Sequence, residues 1–250
     1  LKFKNKIYDY YKCAKCKIYY VNPIPSNDDL KNIYNQDYYS SFYMKETKED
    51  NDFLRFYNKI KKYINFNDKI LDYGCGDGKF LKILNDKKYN IYGADLPTNI
   101  LENLIKKKLN IIPFQNLLKF ENEFQLIYLR DVFEHSHNPI KLIDDLDKLL
   151  INKGYLIIDG PVEKNFSIIN FLIILNYKFK KLFNNNVYEN PPYHLSLYSK
   201  KQLIEFIKNK KDNLDIEDFE LYETGWPLEG KGLIKNIIAK ISIIISKIFF

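Results

Sequence analysis

Residues 69–95 place the tightest limit on what this chain can become. Lys69-Ile70-Leu71-Asp72-Tyr73 is a short apolar run, and Gly74-Cys75-Gly76-Asp77-Gly78 follows it at once. Lys79–Lys88 then shows helical periodicity, and Asn90–Ala94 is a second apolar run that ends at Asp95. A strand that turns through glycines into a helix and returns as a second strand is the opening unit of a parallel α/β sheet. Glycines at this point permit a tight turn and let a ligand lie against bare backbone. An acid about 20 residues beyond such a loop is placed to accept hydrogen bonds from ribose hydroxyls, and Asp95 is that acid. The spacing Gly74-x-Gly76-x-Gly78 is shorter than the Gly-x-Gly-x-x-Gly of dinucleotide enzymes, and nothing in it demands a pyrophosphate.

The alternation continues downstream. Apolar runs at Ile111–Phe114, Phe124–Leu129 and Tyr155–Asp159 are separated by helical stretches at Asn99–Lys108 and Pro139–Leu150. This pattern predicts a Rossmann-like, doubly wound, mostly parallel sheet with helices on both faces. It breaks after Gly160, where residues 163–192 read as a helical insertion. A helix over 199–210 opens with the capping-box pattern Ser199-x-x-Gln202, and a further strand is expected at Asp215–Tyr222. Ahead of the alternation, residues 1–25 read as a small β knuckle around Cys13-x-x-Cys16. Residues 26–66 read as a helical lead-in in two pieces, capped by Ser26. The expected division is therefore 1–25, 26–66, a main domain at 67–225 and an amphipathic tail at 226–250.

A chain of 250 residues with 46% hydrophobic residues can bury one full α/β core with a small appendage. The net charge of +7 comes almost wholly from lysine, since only Arg55 and Arg130 are arginines. Acidic residues are interspersed with the lysines, which is not the footprint of a nucleic-acid surface, so no nucleic-acid partner is expected. Cys13, Cys16 and Cys75 cannot build a disulfide framework, which points to a reducing, cytoplasmic setting. The chain begins with Leu1, so a natural N-terminus upstream is expected.

Two apolar-basic stretches remain, 168–183 and 233–250. In the second, Ile234, Ile237, Ile238, Ile241, Ile244, Ile245 and Ile248 follow helical spacing, with Lys235, Lys240 and Lys247 largely to one side. The lysines interrupt it too often for a membrane span. Peripheral contact with a membrane interface and packing on the core or a partner both fit.

With these residues in view, the chain resembles the class I S-adenosylmethionine-dependent methyltransferases. Leu71–Gly78 is similar to their first motif and Gly93-Ala94-Asp95 to their second. Phe124–His135 with Asn138-Pro139 is similar to their fourth strand and following turn, and Lys153–Ile158 to their fifth. The resemblance covers residues 69–160. It implies S-adenosylmethionine as cofactor, with Gly74, Gly76 and Gly78 along its methionine and ribose portion and Asp72 beside its amino group. It implies Asp95 on the ribose hydroxyls, and Asp131 and Val132 near the sulfonium. Gln115 and Asn116 fall where the family often has an acid near the adenine amino group, a departure that leaves the adenine contact open.

Tyr193-His194-Leu195-Ser196-Leu197-Tyr198-Ser199 is similar to a segment after the fifth strand in one branch of the family, which modifies sugars, lipids or quinone precursors. The Cys13–Cys16 segment looks like half of a zinc knuckle that precedes such domains. Structural zinc takes four ligands, so zinc is expected only if upstream ligands exist.

Methyl transfer to a hydroxyl or carbon needs a base near neutral pKa, which favours histidine. His194 is the first candidate and His135, after the fourth strand, the second; the alternative for each is a histidine that ties down a loop. Asn190-Pro191-Pro192-Tyr193 spells the signature of amino-group methylating enzymes. It comes some sixty residues after the fourth strand, where turn material is the simpler reading. The expected function is methylation of a small-molecule or glycan acceptor, in surface polysaccharide synthesis for example. A quinone or lipid-precursor methyltransferase at the membrane surface, and a non-catalytic interaction module on the same fold, are the alternatives.

Overall fold

The computed structural model describes residues 1–4, 6–33, 49–96, 99–164, 167, 169, 171–172, 175, 191–209, 214–221 and 232–249. The chain divides into two compact units, Pro25–Pro161 and a second made of Leu1–Ile24 with Val162–Phe250.

The first unit holds a four-stranded parallel sheet in the order β6-β5-β7-β8. Its strands are β5 (Lys69–Tyr73), β6 (Asn90–Ala94), β7 (Phe124–Arg130) and β8 (Leu150–Asp159). β5 pairs with β6 from Lys69↔Asn90 to Tyr73↔Ala94, and with β7 from Ile70↔Leu126 to Tyr73↔Leu129. This register lines up the carboxyl ends of β5 and β6, so the glycine loop and Asp95 leave the sheet side by side. Side chains alternate across a strand. Ile70, Leu126 and Tyr128 pack with Ile60, Phe80, Leu81, Leu84, Leu101 and Leu104 on one face. The helices on that face are Glu49–Ile60, Lys79–Asp86 and Asn99–Lys106. An aromatic cluster closes it: Phe56 stacks on Tyr128 at 4.1 Å between ring centres, and Phe80 meets Tyr128 edge-on at 5.0 Å. The helix Pro139–Leu149 buries Leu142, Ile143, Leu146 and Leu149; it starts with the Asn138 side chain accepting from the Lys141 amide, and Pro139 sits in its first turn.

Two expectations change here. The run Ile111–Phe114 is not a strand: Ile111 alone makes a parallel bridge to Gly93, and a 3-10 helix Phe114–Phe120 begins directly after. Pro113 has no amide hydrogen to give a ladder, and its fixed φ suits the cap position it occupies. β8 starts at Leu150 rather than near Tyr155, with a shift of register against β7 between Phe124 and Leu126.

In the second unit, β1 (Lys2–Phe3) and β2 (Lys6–Ile7) form a two-residue hairpin. β3 (Asp9–Lys12) and β4 (Tyr19–Asn22) pair antiparallel, and β9 (Ser196–Leu197) adds to β4 as a third strand. The knuckle expected at the N-terminus thus shares a sheet with the segment around His194. The helix Lys200–Lys208 carries the full capping box between Ser199 and Gln202 that its sequence implied. Residues 214–221 form neither helix nor strand, against the strand expected at Asp215–Tyr222; Tyr222 lies outside the described residues. Asp215, Glu217, Asp218 and Glu220 are exposed there, and no ladder partner meets them among the described residues. Most of the insertion 163–192, Asn190 included, also lies outside the described residues. The tail is one helix, Leu233–Phe249.

Candidate active site

The loop after β5 has a shape that side chains would prevent. Gly74, Gly76 and Gly78 have φ of 79°, 52° and 75°, in the left-handed region that favours glycine. A Cβ on Gly74 would come within 2.4 Å of Val132 Cγ2, and one on Gly78 within 2.8 Å of Leu104 Cδ2. The loop is clamped from β6: the Gly74 and Cys75 amides both donate to the Ala94 carbonyl, at 2.7 and 3.1 Å. Asp95 completes the clamp, its Oδ2 accepting from the Gly76 amide at 2.6 Å and its Oδ1 from the Leu96 amide at 2.6 Å. Gly78 caps the helix Lys79–Asp86 without any side-chain cap.

A hollow opens above this loop at the carboxyl edge of the sheet, the edge where open α/β folds bind ligands. Asp72, Gly74, Gly76 and Asp77 line one side of it, and Phe53, Phe80 and Tyr128 another. Arg130 and Asp131, from the end of β7, complete the rim. Arg130 lies over the Phe53 ring at 4.4 Å, and its Nε is 3.7 Å from Asp131 Oδ2. Asp131 has a φ of 51°, held by its amide donating to the Asp159 carbonyl at 2.8 Å.

The electrostatics centre on Asp72, which is 4% exposed. Burial, and then the charges of Asp95 and Asp77, push its carboxyl up to about 8, while Arg130 pulls the other way. Among the described residues no group donates a hydrogen bond to it. A buried acid facing an open hollow suits a cationic partner such as an ammonium group. Burial, with Asp72 and Asp95 nearby, also raises the Cys75 thiol far above its usual range, so it is an inert packing group.

A family model described as a methyltransferase domain matches residues 44–210. The chain belongs to that family. Among solved structures, an S-adenosylmethionine-dependent methyltransferase from Archaeoglobus fulgidus superposes with a TM-score of 0.53 at 19% identity, covering 84% of this chain and 90% of that one. A Haemonchus contortus phosphoethanolamine-type N-methyltransferase, solved with S-adenosylhomocysteine, gives 0.51 at 17% identity over 76% of this chain and 45% of that one. These likenesses show the fold. Among curated proteins, the tRNA U34 carboxymethyltransferase of Campylobacter fetus subsp. fetus is 29% identical over 117 residues, which are 43% of this chain and 41% of that protein. Its counterpart in Aliarcobacter butzleri is 26% identical over 113 residues, 41% of this chain and 37% of that protein. The chain thus spans about two-fifths of the length of these curated relatives.

The cofactor of a methyltransferase domain of this kind is S-adenosylmethionine, and the residues present fit it. The loop is bare backbone, Asp95 is fixed at the end of β6, and Asp72 offers a buried carboxyl that a cation would ionise. Val132, expected near the sulfonium end, packs directly on Gly74. Gln115 and Asn116 stand on the 3-10 helix Phe114–Phe120, Gln115 exposed and Asn116 half-buried, and neither lines the hollow. Sequence reasoning passed over Phe53 and Arg130. Phe53 lies on a helix ahead of the motif region, with nothing local to mark it; Arg130, one of only two arginines, was the available signal.

The histidines of the methyltransferase domain are placed differently. His135 ends the 3-10 helix Phe133–His135, with Nε2 3.7 Å from Oε1 of Glu134, which is itself 1% exposed. His194, in the second unit, has Nδ1 2.8 Å from Glu163 Oε1. Its carbonyl accepts from the Tyr10 hydroxyl at 2.7 Å. Burial, and then the Glu163 charge, hold the Tyr10 phenol well above its usual range, so it stays a donor. Two further bonds tie this segment to the knuckle: the Val21 amide to the Leu195 carbonyl at 2.9 Å, and Gln202 Nε2 to the Lys17 carbonyl at 2.6 Å.

Cys13 and Cys16 are free thiols in the turn between β3 and β4. Backbone hydrogen bonds from Cys16 and Lys15 lower the Cys13 thiol, whereas burial raises that of Cys16. Among the described residues no third metal-ligating side chain joins them.

Proposed function

We propose that this protein transfers a methyl group from S-adenosylmethionine to a hydroxyl or carbon of a small-molecule or glycan acceptor. The observation that carries the cofactor half is the buried Asp72 carboxyl facing a glycine loop that Asp95 holds open. When bound, the cofactor supplies a methyl on a sulfonium, already activated for displacement. The chain's own residues do the rest. Asp72 balances the cofactor's ammonium charge. Asp95, oriented by the Gly76 amide, accepts from ribose hydroxyls. Asp131 and Val132 flank the reacting end, and the glycines admit the ligand to the backbone.

His194 is the proposed base for the acceptor. Its ring is oriented through Nδ1 by Glu163, and Nε2 is the nitrogen assigned to take the proton. A carboxylate on one nitrogen stabilises the charge that develops when the other nitrogen gains its proton. His135 stands second, beside the buried Glu134.

A second reading has an RNA acceptor. It rests on the activity named for the two curated relatives and on the part of their length that this chain spans. The deciding experiment has two stages. Calorimetry with S-adenosylmethionine and with NAD first tests the cofactor; binding of NAD alone would overturn the assignment. Labelled methyl transfer is then followed to sugar-nucleotide, quinone-precursor and tRNA acceptors in parallel. Label in tRNA with none in the small molecules would reverse the order of the two acceptor readings.

A further inference from the structure

The helix Leu233–Phe249 has two faces, and folding uses only one. Ala239 is 0% and Ser242 2% exposed, so the small-residue face is packed away. On the opposite side Leu233, Ile237, Ile241 and Ile244 recur at helical spacing, and they are 79%, 48%, 50% and 60% exposed. Ile238, Ile243 and Ile245 are half-buried beside that packed face, whereas the stripe stands out to water. Lys240, exposed, stands at the border of the stripe. Residues 231–250 contain Lys231, Lys235, Lys240 and Lys247 and no acidic residue at all. The tail shares this sign imbalance with residues 164–188, where Lys164, Lys178, Lys180 and Lys181 stand without an acid.

We propose that this helix lies flat on an anionic lipid surface, with Leu233, Ile237, Ile241 and Ile244 inserted among the acyl chains and the lysines on phosphate headgroups. The apolar stripe supplies insertion, and Lys240, with a flexible apolar stem and a charged tip, supplies attraction at its border. At 17 residues, about 25 Å long, the helix is suited to lie in the interface. No helix among the described residues is long and apolar enough to cross a membrane. Phe171 and Leu175, 58% and 53% exposed in the other apolar-basic stretch, offer the same chemistry ahead of Lys178, Lys180 and Lys181. Such a surface would hold the enzyme beside lipid, and the inference stands whether or not the acceptor is itself a lipid.

The test is co-sedimentation of the full chain with vesicles of phosphatidylcholine alone and of phosphatidylcholine mixed with phosphatidylglycerol. Binding to the mixed vesicles, loss of binding in high salt and little binding to phosphatidylcholine alone are expected. The triple variant Ile237→Ser, Ile241→Ser, Ile244→Ser should bind roughly a hundredfold more weakly. Lys240→Gln should bind about fivefold more weakly at low salt. Circular dichroism and S-adenosylmethionine affinity report separately on the fold and on the cofactor site. If the triple variant loses its fold, Ile244→Ser alone, expected to weaken binding about tenfold, takes its place. No binding of the wild-type chain to anionic vesicles, or equal binding by the serine variants, overturns the proposal. So does a wild-type dimer in sedimentation velocity that the serine variants dissolve, because the stripe would then be covered by a second copy.

Discussion

The loop at Gly74–Gly78 and the segment at Tyr193–Ser199 are both short, irregular stretches anchored by hydrogen bonds, but their anchors differ in range. The loop is held by Ala94 and Asp95, from the next strand of the same unit. The His194 segment is held by Tyr10 and Val21, and Gln202 just beyond it by Lys17, all residues of the far N-terminal knuckle. A site built from neighbouring elements is specified within a few tens of residues. A site anchored across the chain depends on a sheet whose strands β4 and β9 lie far apart in sequence. This difference separates what each region tolerates, and four measurements can break or sharpen it.

The largest effect is expected at Gly74. Valine there combines a left-handed φ with a Cβ driven into Val132. Strain of about 1–3 kcal/mol adds to an overpacking cost of similar size, so a loss of roughly 3 kcal/mol or more is expected from thermal or denaturant unfolding. S-adenosylmethionine binding should be lost with it. Binding at wild-type affinity would show that the loop does not take the ligand.

Next comes His194→Ala, expected to lower turnover roughly a hundredfold, or about 2.7 kcal/mol, while cofactor affinity stays as it was. Glu163→Gln should cost about tenfold, and the pH profile of turnover should move with it, if Glu163 orients the imidazole and stabilises the charge it gains from the acceptor's proton. Unchanged turnover and unchanged pH dependence in both variants would make the pair a structural tie and would move the search for a base to His135 or Glu134.

How much of this was legible in the sequence follows the same division. The strand–glycine–helix–strand unit and Asp95 were readable because period, turn chemistry and spacing all act over short range. The capping box at Ser199 was readable for the same reason. Ile111–Phe114 misled because an apolar run has the same pattern in a strand and ahead of a 3-10 helix, and Pro113 decided between them. The pairing of β4 with β9, the bond from Tyr10 to His194 and the place of Phe53 on the rim had no local signal. Each joins residues far apart in the chain, and one sequence holds no record of such contacts.

A smaller effect, with a definite sign, is expected at Asp72. Its carboxyl is pushed up to about 8, above its value in the unfolded chain. Between the ordinary carboxylate range and about pH 8 the folded protein therefore binds more protons than the unfolded one, and stability falls as pH rises through that window. The slope from this group is at most about 1.4 kcal/mol per pH unit. Asp72→Asn should flatten that part of the unfolding profile of the ligand-free protein. A cationic ligand favours the charged carboxylate, so at pH 7 the wild type should release up to one proton on binding S-adenosylmethionine. Calorimetry in buffers of different ionisation enthalpy measures this. Equal proton release in Asp72→Asn would remove Asp72 from the binding reaction.

The smallest effect, none at all, is expected at Tyr193. Its sequence context copies the signature of enzymes that methylate amino groups, where the motif follows the fourth strand beside the methyl donor. Here the residues at the end of β7 that line the hollow are Arg130, the last of the strand, and Asp131, the first after it. Pro191–Tyr193 instead makes a tight turn, with the Tyr193 amide donating to the Pro191 carbonyl at 2.9 Å. Two prolines restrict the backbone ahead of β9, which is a sufficient reason for their presence. Tyr193→Ala should leave cofactor affinity unchanged and should leave DNA and tRNA unlabelled, as with the wild type. The activity named for the curated tRNA-modifying relatives makes this outcome informative in both directions. Methyl label in tRNA that persists in Tyr193→Ala would favour an RNA acceptor without any part for the motif. Label that appears with the wild type and disappears with the variant would make the turn a working part of the acceptor site, beside the histidine proposed as its base.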